Sequence, residues 1–212
     1  MASRPGALPE PIVVTVPILT IAGAVAGLVC PALFITMMIG PEWTYYWHYA
    51  LICGSYLTGL ALGVGATLAL SSRIWLRLVL APVLGTGGIT VVFLILTFAL
   101  SEHPADRGLP LGEMLSYATY LGPHGGFLLT LAHVVFLIWR ARFKFIVWIP
   151  LYAAAGSLAV LPAIFGPLII PSPRGLALVG LMGLALGGLQ LVAMRVCLAI
   201  EEKIGRRLTV DS

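Results

Sequence analysis

Six apolar runs, each parted from the next by a short polar stretch, set the pattern of this chain. They cover Ile12–Ile39, the segment from the aromatic cluster at Trp43, Tyr45, Tyr46, Trp47 and Tyr49 down to Leu70, Ile74–Leu100, Tyr117–Lys144, Phe145–Ile170 and Gly175–Ile200. About 20 apolar residues already span ~30 Å of hydrocarbon as a helix, so each run predicts a membrane crossing with room to tilt. The expected fold class is an all-α integral membrane protein, a six-transmembrane-helix bundle. Residues 1–11 form a Pro-rich lead-in, 12–200 the transmembrane domain and 201–212 a charged tail. No small-residue cleavage site follows the first run, which is therefore read as a retained helix.

The breaks carry their own signals. Gly40-Pro41-Glu42, Ser71-Ser72-Arg73 and Pro171-Ser172-Pro173-Arg174 are short turns, and 101–113 is the longest polar connection. Aromatic residues such as Trp43 and Tyr45 belong at headgroup level and mark one interface. Prolines at 31, 82, 123 and 162 fall inside runs, where each removes a backbone hydrogen bond. Gly23-Ala24 with Ala26-Gly27, Gly59 with Gly63, and Gly85-Thr86-Gly87-Gly88 offer small faces for close helix contact.

Composition agrees with the pattern. Sixty per cent of the 212 residues are hydrophobic, 9% are charged and the mean hydropathy is +1.05, whereas a soluble domain carries about 25% charge. The net charge of +4 does not point to nucleic acid. Arg73, Arg77, Arg140, Arg142, Lys144, Lys203, Arg206 and Arg207 gather at alternate breaks and in the tail, while the break at 101–113 has three acids against one arginine. Positive-inside orientation then predicts both termini in the cytoplasm, as in a bacterial-type plasma membrane. Arg77 and Arg195 are expected to snorkel toward the cytoplasmic interface. Leu84-Gly85-Thr86-Gly87-Gly88 also resembles Leu184-Ala185-Leu186-Gly187-Gly188, which suggests a 3+3 inverted repeat.

No Asp, Glu or Lys lies in the interior of any run. Ion-coupled pumps and carboxylate-based or metal-dependent intramembrane enzymes need such groups, so these classes recede, and enzyme activity with them. His48, His124 and His133 are the ionisable residues left at depth. His124 and His133 stand nine residues apart, which on a helix is ~180° around and ~13 Å along, so they do not share one site. His48 and His124 lie at closer depths on the second and fourth helices, an arrangement that could hold haem or a quinone. Pro123-His124-Gly125-Gly126 predicts a distortion, with Thr119, Tyr120, Pro123, His124, Gly125, Gly126 and Thr130 as candidate substrate-lining residues. Ser55, Thr58, Thr86, Thr90 and Gln190 could add to that lining from other helices. Cys30, Cys53 and Cys197 show no metal or redox spacing and read as packing residues.

In size, helix count and lack of charged relays the chain is similar in outline to substrate-binding subunits of energy-coupling-factor transporters. That likeness of layout implies no particular residue role. The sequence therefore supports a small transport or permeation component for a neutral or apolar solute, without its own ion-coupling carboxylates. The rival readings are a non-catalytic subunit of a larger, respiratory-type complex that binds haem or quinone through His48 and His124, and a purely structural assembly subunit. The expected partners are the lipid bilayer and either other membrane subunits or a second copy of the chain.

Overall fold

The computed structural model describes residues 14–39, 46–99, 111–165 and 172–210. The lead-in, Trp43, Tyr45, His103 with most of the acidic connection, and the last two residues lie outside them. The chain forms α1 (Thr15–Phe34), α2 (Tyr46–Leu70), α3 (Ile74–Ala99), α4 (Leu111–Trp139), α5 (Trp148–Phe165) and α6 (Pro173–Val210). A π-helical turn, Ile35–Ile39, extends α1, and a 3₁₀ turn, Phe145–Val147, leads into α5. Six segments, Thr15–Met38, Tyr49–Leu70, Ile74–Leu96, Leu115–Trp139, Phe145–Pro162 and Pro173–Lys203, are long and apolar enough to cross a membrane. No strand occurs among the described residues. This is a polytopic helical bundle of the membrane type.

Local sequence explains where the helices begin and how they survive their prolines. Ser172 caps α6, its Oγ accepting from the Gly175 amide at 3.1 Å, and Pro173 takes the first helical position, where no amide is needed. Pro31, Pro82, Pro123 and Pro162 sit inside α1, α3, α4 and α5 without ending them. In particular, α4 runs unbroken through Pro123-His124-Gly125-Gly126.

Each helix packs against the next in sequence, and α6 returns to α1, closing a ring. Within it α2 also meets α4, and the Tyr56 hydroxyl of α2 donates to the Ala159 carbonyl of α5 at 3.2 Å. Tyr56, Leu57 and Leu60 thus fill the middle of the bundle.

In lipid the hydrophobic effect does not draw helices together, so close backbone approach and dispersion must do so. Glycine supplies the approach. Gly23 and Gly27 of α1 face Leu57, Ala61 and Gly54 of α2. Gly59 and Gly63 meet Leu84, Gly85, Gly88 and Ile89 of α3. Gly85 in turn meets Gly122 and Gly126 of α4, so the glycine run of α3 is gripped from two sides. Gly156 and Gly183 with Gly187 do the same for α5 and α6. The two fragments that suggested an inverted repeat use their glycines differently: Gly88 is packed and Gly87 open, whereas Gly187 is packed and Gly188 open. That match therefore lends the repeat no support.

The outward faces are apolar. Trp75, Val79, Val83, Val91 and Ile95 recur at helical spacing along one exposed stripe of α3, as a lipid-facing surface requires. Arg77 departs from the snorkelling expectation. It is 2% exposed and turns back onto the end of α2, with Nε donating to the Ser71 carbonyl and Nη2 to that of Leu68 at 3.1 Å. Those are the last carbonyls of α2, which lack helical partners and carry the negative end of its dipole.

Candidate functional site

Most hydroxyls in the bundle are spoken for by their own helices. Thr20, Thr36, Thr67, Thr86 and Thr90 each donate to the carbonyl four residues back at 2.7–2.9 Å, and Ser55 bonds the Leu51 carbonyl in the same way. Such back-bonds commit the hydroxyl's proton and leave it only as an acceptor. Ser55, Thr86 and Thr90 are thereby accounted for. Thr130 is not: it is fully buried on α4, and its Oγ1 has no partner.

One turn beyond Thr130 on the same face of α4 stands His133, also fully buried. Its Nδ1 lies 2.7 Å from the Tyr152 hydroxyl of α5. The two rings meet edge to face with centroids 5.1 Å apart. Nδ1 of His133 is the acceptor that the Tyr152 hydroxyl has among the described residues, so the hydroxyl donates to it. That pairing places the imidazole proton on Nε2, an assignment made by satisfying the hydrogen bonds. The Nε2–H donor then has no partner. Beside it comes Gln190 of α6, close enough to influence His133 as a hydrogen-bonding neighbour. Gln190 donates through Nε2 to the Leu19 carbonyl of α1 at 3.2 Å, while its Oε1 is buried without a partner.

Four helices therefore converge on one polar cluster: α1 through Leu19, α4 through Thr130 and His133, α5 through Tyr152 and α6 through Gln190. It holds a donor at Nε2, an acceptor at Gln190 Oε1 and an uncommitted hydroxyl at Thr130. Nε2–H of His133 and Oε1 of Gln190 are complementary neighbours, and with Thr130 Oγ1 they make three buried polar atoms without a bond, where native proteins leave few. Below them Phe136 packs on Tyr152 and Trp148 with centroids 6.1 and 5.2 Å apart. Above this aromatic floor Nε2–H could meet an acceptor and Oε1 a donor. Among the described residues no three His, Cys, Asp or Glu side chains gather as a metal site would need.

The residues expected to line a cavity at Pro123–Gly126 are spread over different surroundings. Thr119, Tyr120 and His124 are exposed on the outside of α4, and Pro123 is half-buried. Gly125 is packed under Leu60 and Tyr56, and Gly126 against Ala81 and Gly85. Only Thr130 joins the polar cluster. His48 lies in α2 with its side chain outside the described set, so the His48–His124 haem pairing has one described member, and that member faces outward. Cys30, Cys53 and Cys197 are unpaired, and Ser157 packs against Gly183. Sequence reasoning separated His133 from His124 but had no signal for which of them faced inward. Comparison with protein-family models, curated proteins and solved structures returned no match.

Proposed function

We propose that the chain is a small membrane transport or permeation component for a small neutral solute, contacted by Thr130, His133, Tyr152 and Gln190. The observation that carries this reading is the set of open polar atoms inside membrane-spanning helices: Nε2 of His133, Oε1 of Gln190 and Oγ1 of Thr130. Unbonded polar groups in hydrocarbon are costly, and such intramembrane groups usually mark a pathway or a site. The only charged residues within the spans are Arg77, Arg174, Arg195, Glu201, Glu202 and Lys203, all toward helix ends. The bundle thus has no carboxylate at mid-depth to couple solute movement to an ion, and any driving energy comes from a partner subunit or from the solute gradient. The excess of Lys and Arg at the breaks near 73 and 142 and in the tail supports cytoplasmic termini in a bacterial-type plasma membrane.

The test is reconstitution of the full chain into liposomes, with solute-driven volume change followed by stopped-flow light scattering. The panel is water, urea, glycerol and acetamide. At least one solute should cross faster than in protein-free vesicles, and His133→Ala and Gln190→Ala should remove most of that excess. Vesicles no leakier than protein-free ones across the panel sink the permeation reading. Excess flux that both variants leave intact sinks the site.

A further inference from the structure

At the basic end of the bundle, one turn from the polar cluster, a second set of groups has capacity left over, and all of it is donor capacity. Trp148 is 4% exposed, and its indole Nε1–H has no hydrogen-bond partner. Nη1 of Arg140 is also enclosed and unpartnered. Neither group can accept, so they cannot satisfy each other, and an acceptor from elsewhere is needed. Phe136 links them: Trp148 packs on its ring at 5.2 Å, and Arg140 follows one turn later, its amide bonded to the Phe136 carbonyl.

The nearby cations rest on aromatic faces. Cζ of Arg195 lies 5.8 Å from the Phe136 centroid and 5.1 Å from that of Phe145, and Cζ of Arg142 lies 4.8 Å from Trp139. Lys144 is exposed beside them. Glu201 stands within electrostatic reach of Arg140, and Glu202 follows it on α6. Positive charge therefore exceeds negative charge at this end, which also holds the two enclosed donors. The depth is also telling, because spans end or begin at Trp139, Phe145 and Lys203, the level of lipid headgroups. Around the cations Ile138, Phe143, Ile146 and Val147 are exposed and offer an apolar surface to acyl chains.

We propose that this end of α4, α5 and α6 binds the phosphate of an anionic phospholipid, with Arg140 Nη1 and Trp148 Nε1 as its donors and Arg195 as supporting charge. Donor-only groups with a cationic surround select a phosphate or carboxylate oxygen. The exposed apolar residues beside them select an anion that carries chains over a free one, and Lys and Arg at this level draw anionic lipid.

The test is native mass spectrometry of the full-length protein, released from micelles containing equal amounts of phosphatidylglycerol and phosphatidylcholine. The wild type should retain phosphatidylglycerol with about tenfold preference, roughly 1.4 kcal/mol. Arg140→Gln and Trp148→Phe should each cut that preference severalfold, while Arg174→Gln, at the other end of α6, should leave it unchanged. Trp148→Phe keeps an aromatic ring on Phe136 and serves where the arginine change disturbs folding. Equal retention of the two lipids, or an unchanged preference in Trp148→Phe, overturns the proposal. So does release of the lipid by millimolar inorganic phosphate, which would identify a site for free anions.

Discussion

Tyr152 Oη and His133 Nδ1 lie 2.7 Å apart, and this bond ties α5 to α4 where, among the described residues, no glycine brings those two helices together. Beside the bond Phe136 packs on both Trp148 and Tyr152. Losing the tyrosine hydroxyl leaves Nδ1 buried and open, and losing the imidazole leaves the hydroxyl open. Interhelical hydrogen bonds in membranes contribute about 0.5–2 kcal/mol. Tyr152→Phe should therefore lower stability by about 1 kcal/mol. His133→Ala, which also empties a packed volume, should cost more. The readout is thermal melting of the detergent-solubilised protein. A double variant no worse than His133→Ala alone is expected, because the hydroxyl then has no partner to lose. Fully additive losses would contradict the bond.

Two glycines two residues apart on α3 should respond in opposite ways to one methyl group. A Cβ at Gly85 would lie 2.6 Å from the Gly122 carbonyl oxygen and 3.0 Å from Gly126 Cα, both backbone atoms that cannot turn aside. A Cβ at Gly87 meets nothing within 4 Å. Gly85→Ala should push α4 away from α3 and destabilise the fold by about 1–3 kcal/mol, as overpacking does. Gly87→Ala should be neutral or stabilising by up to about 1 kcal/mol through helix propensity. Melting temperatures that move together would show that α3 is not gripped as described.

These contrasts mark what can be read from the chain and what cannot. Six spans are legible because hydrocarbon demands long apolar runs, and the breaks are legible because proline, glycine and charge collect there. Helix limits are less so: α4 starts at Leu111, ahead of its apolar run, and α6 continues to Val210 through Glu201, Glu202 and Lys203, all helix formers. The polar cluster is partly legible. Helical geometry puts His124 and His133 on opposite faces, yet the helix is apolar on both, so no periodicity tells the inward face from the lipid-facing one. Proline and glycine around His124 drew attention to a stretch whose glycines serve packing against α2 and α3. The signal that would have favoured His133 is its distance from any distortion. A buried histidine in an ordinary helix must find its partner on a neighbouring helix, here Tyr152.

Arg77 gives a test of the α2–α3 turn. Its guanidinium reaches two carbonyls at the end of α2, Leu68 and Ser71, from a second-turn position on α3. A planar fork spans both, whereas a compact ammonium reaches one. Arg77→Leu should destabilise by about 1–3 kcal/mol, since two buried carbonyls lose their donor. Arg77→Lys should recover less than half of that loss in the same melting assay. Full recovery by lysine would mean that charge at the helix end, not the two-carbonyl bridge, is what stabilises the turn.

Orientation is the remaining prediction, and it is independent of any site. The breaks near residues 73 and 142 and the C-terminal tail are basic, while 101–113 carries Glu102, Asp106 and Glu113 against Arg107. Six crossings return the chain to the side on which it began. Reporters fused after Ser212 and near Arg142 should read cytoplasmic, and one near Asp106 should read external. Because Arg77 is folded against α2, it should contribute less to this bias than the exposed Arg73, Arg142 and Lys144. Neutralising those three together should weaken the orientation, whereas Arg77→Gln alone should leave every reporter as it was. A tail reporter on the external side would reverse the assignment, and the proposed lipid phosphate would then belong to the outer leaflet.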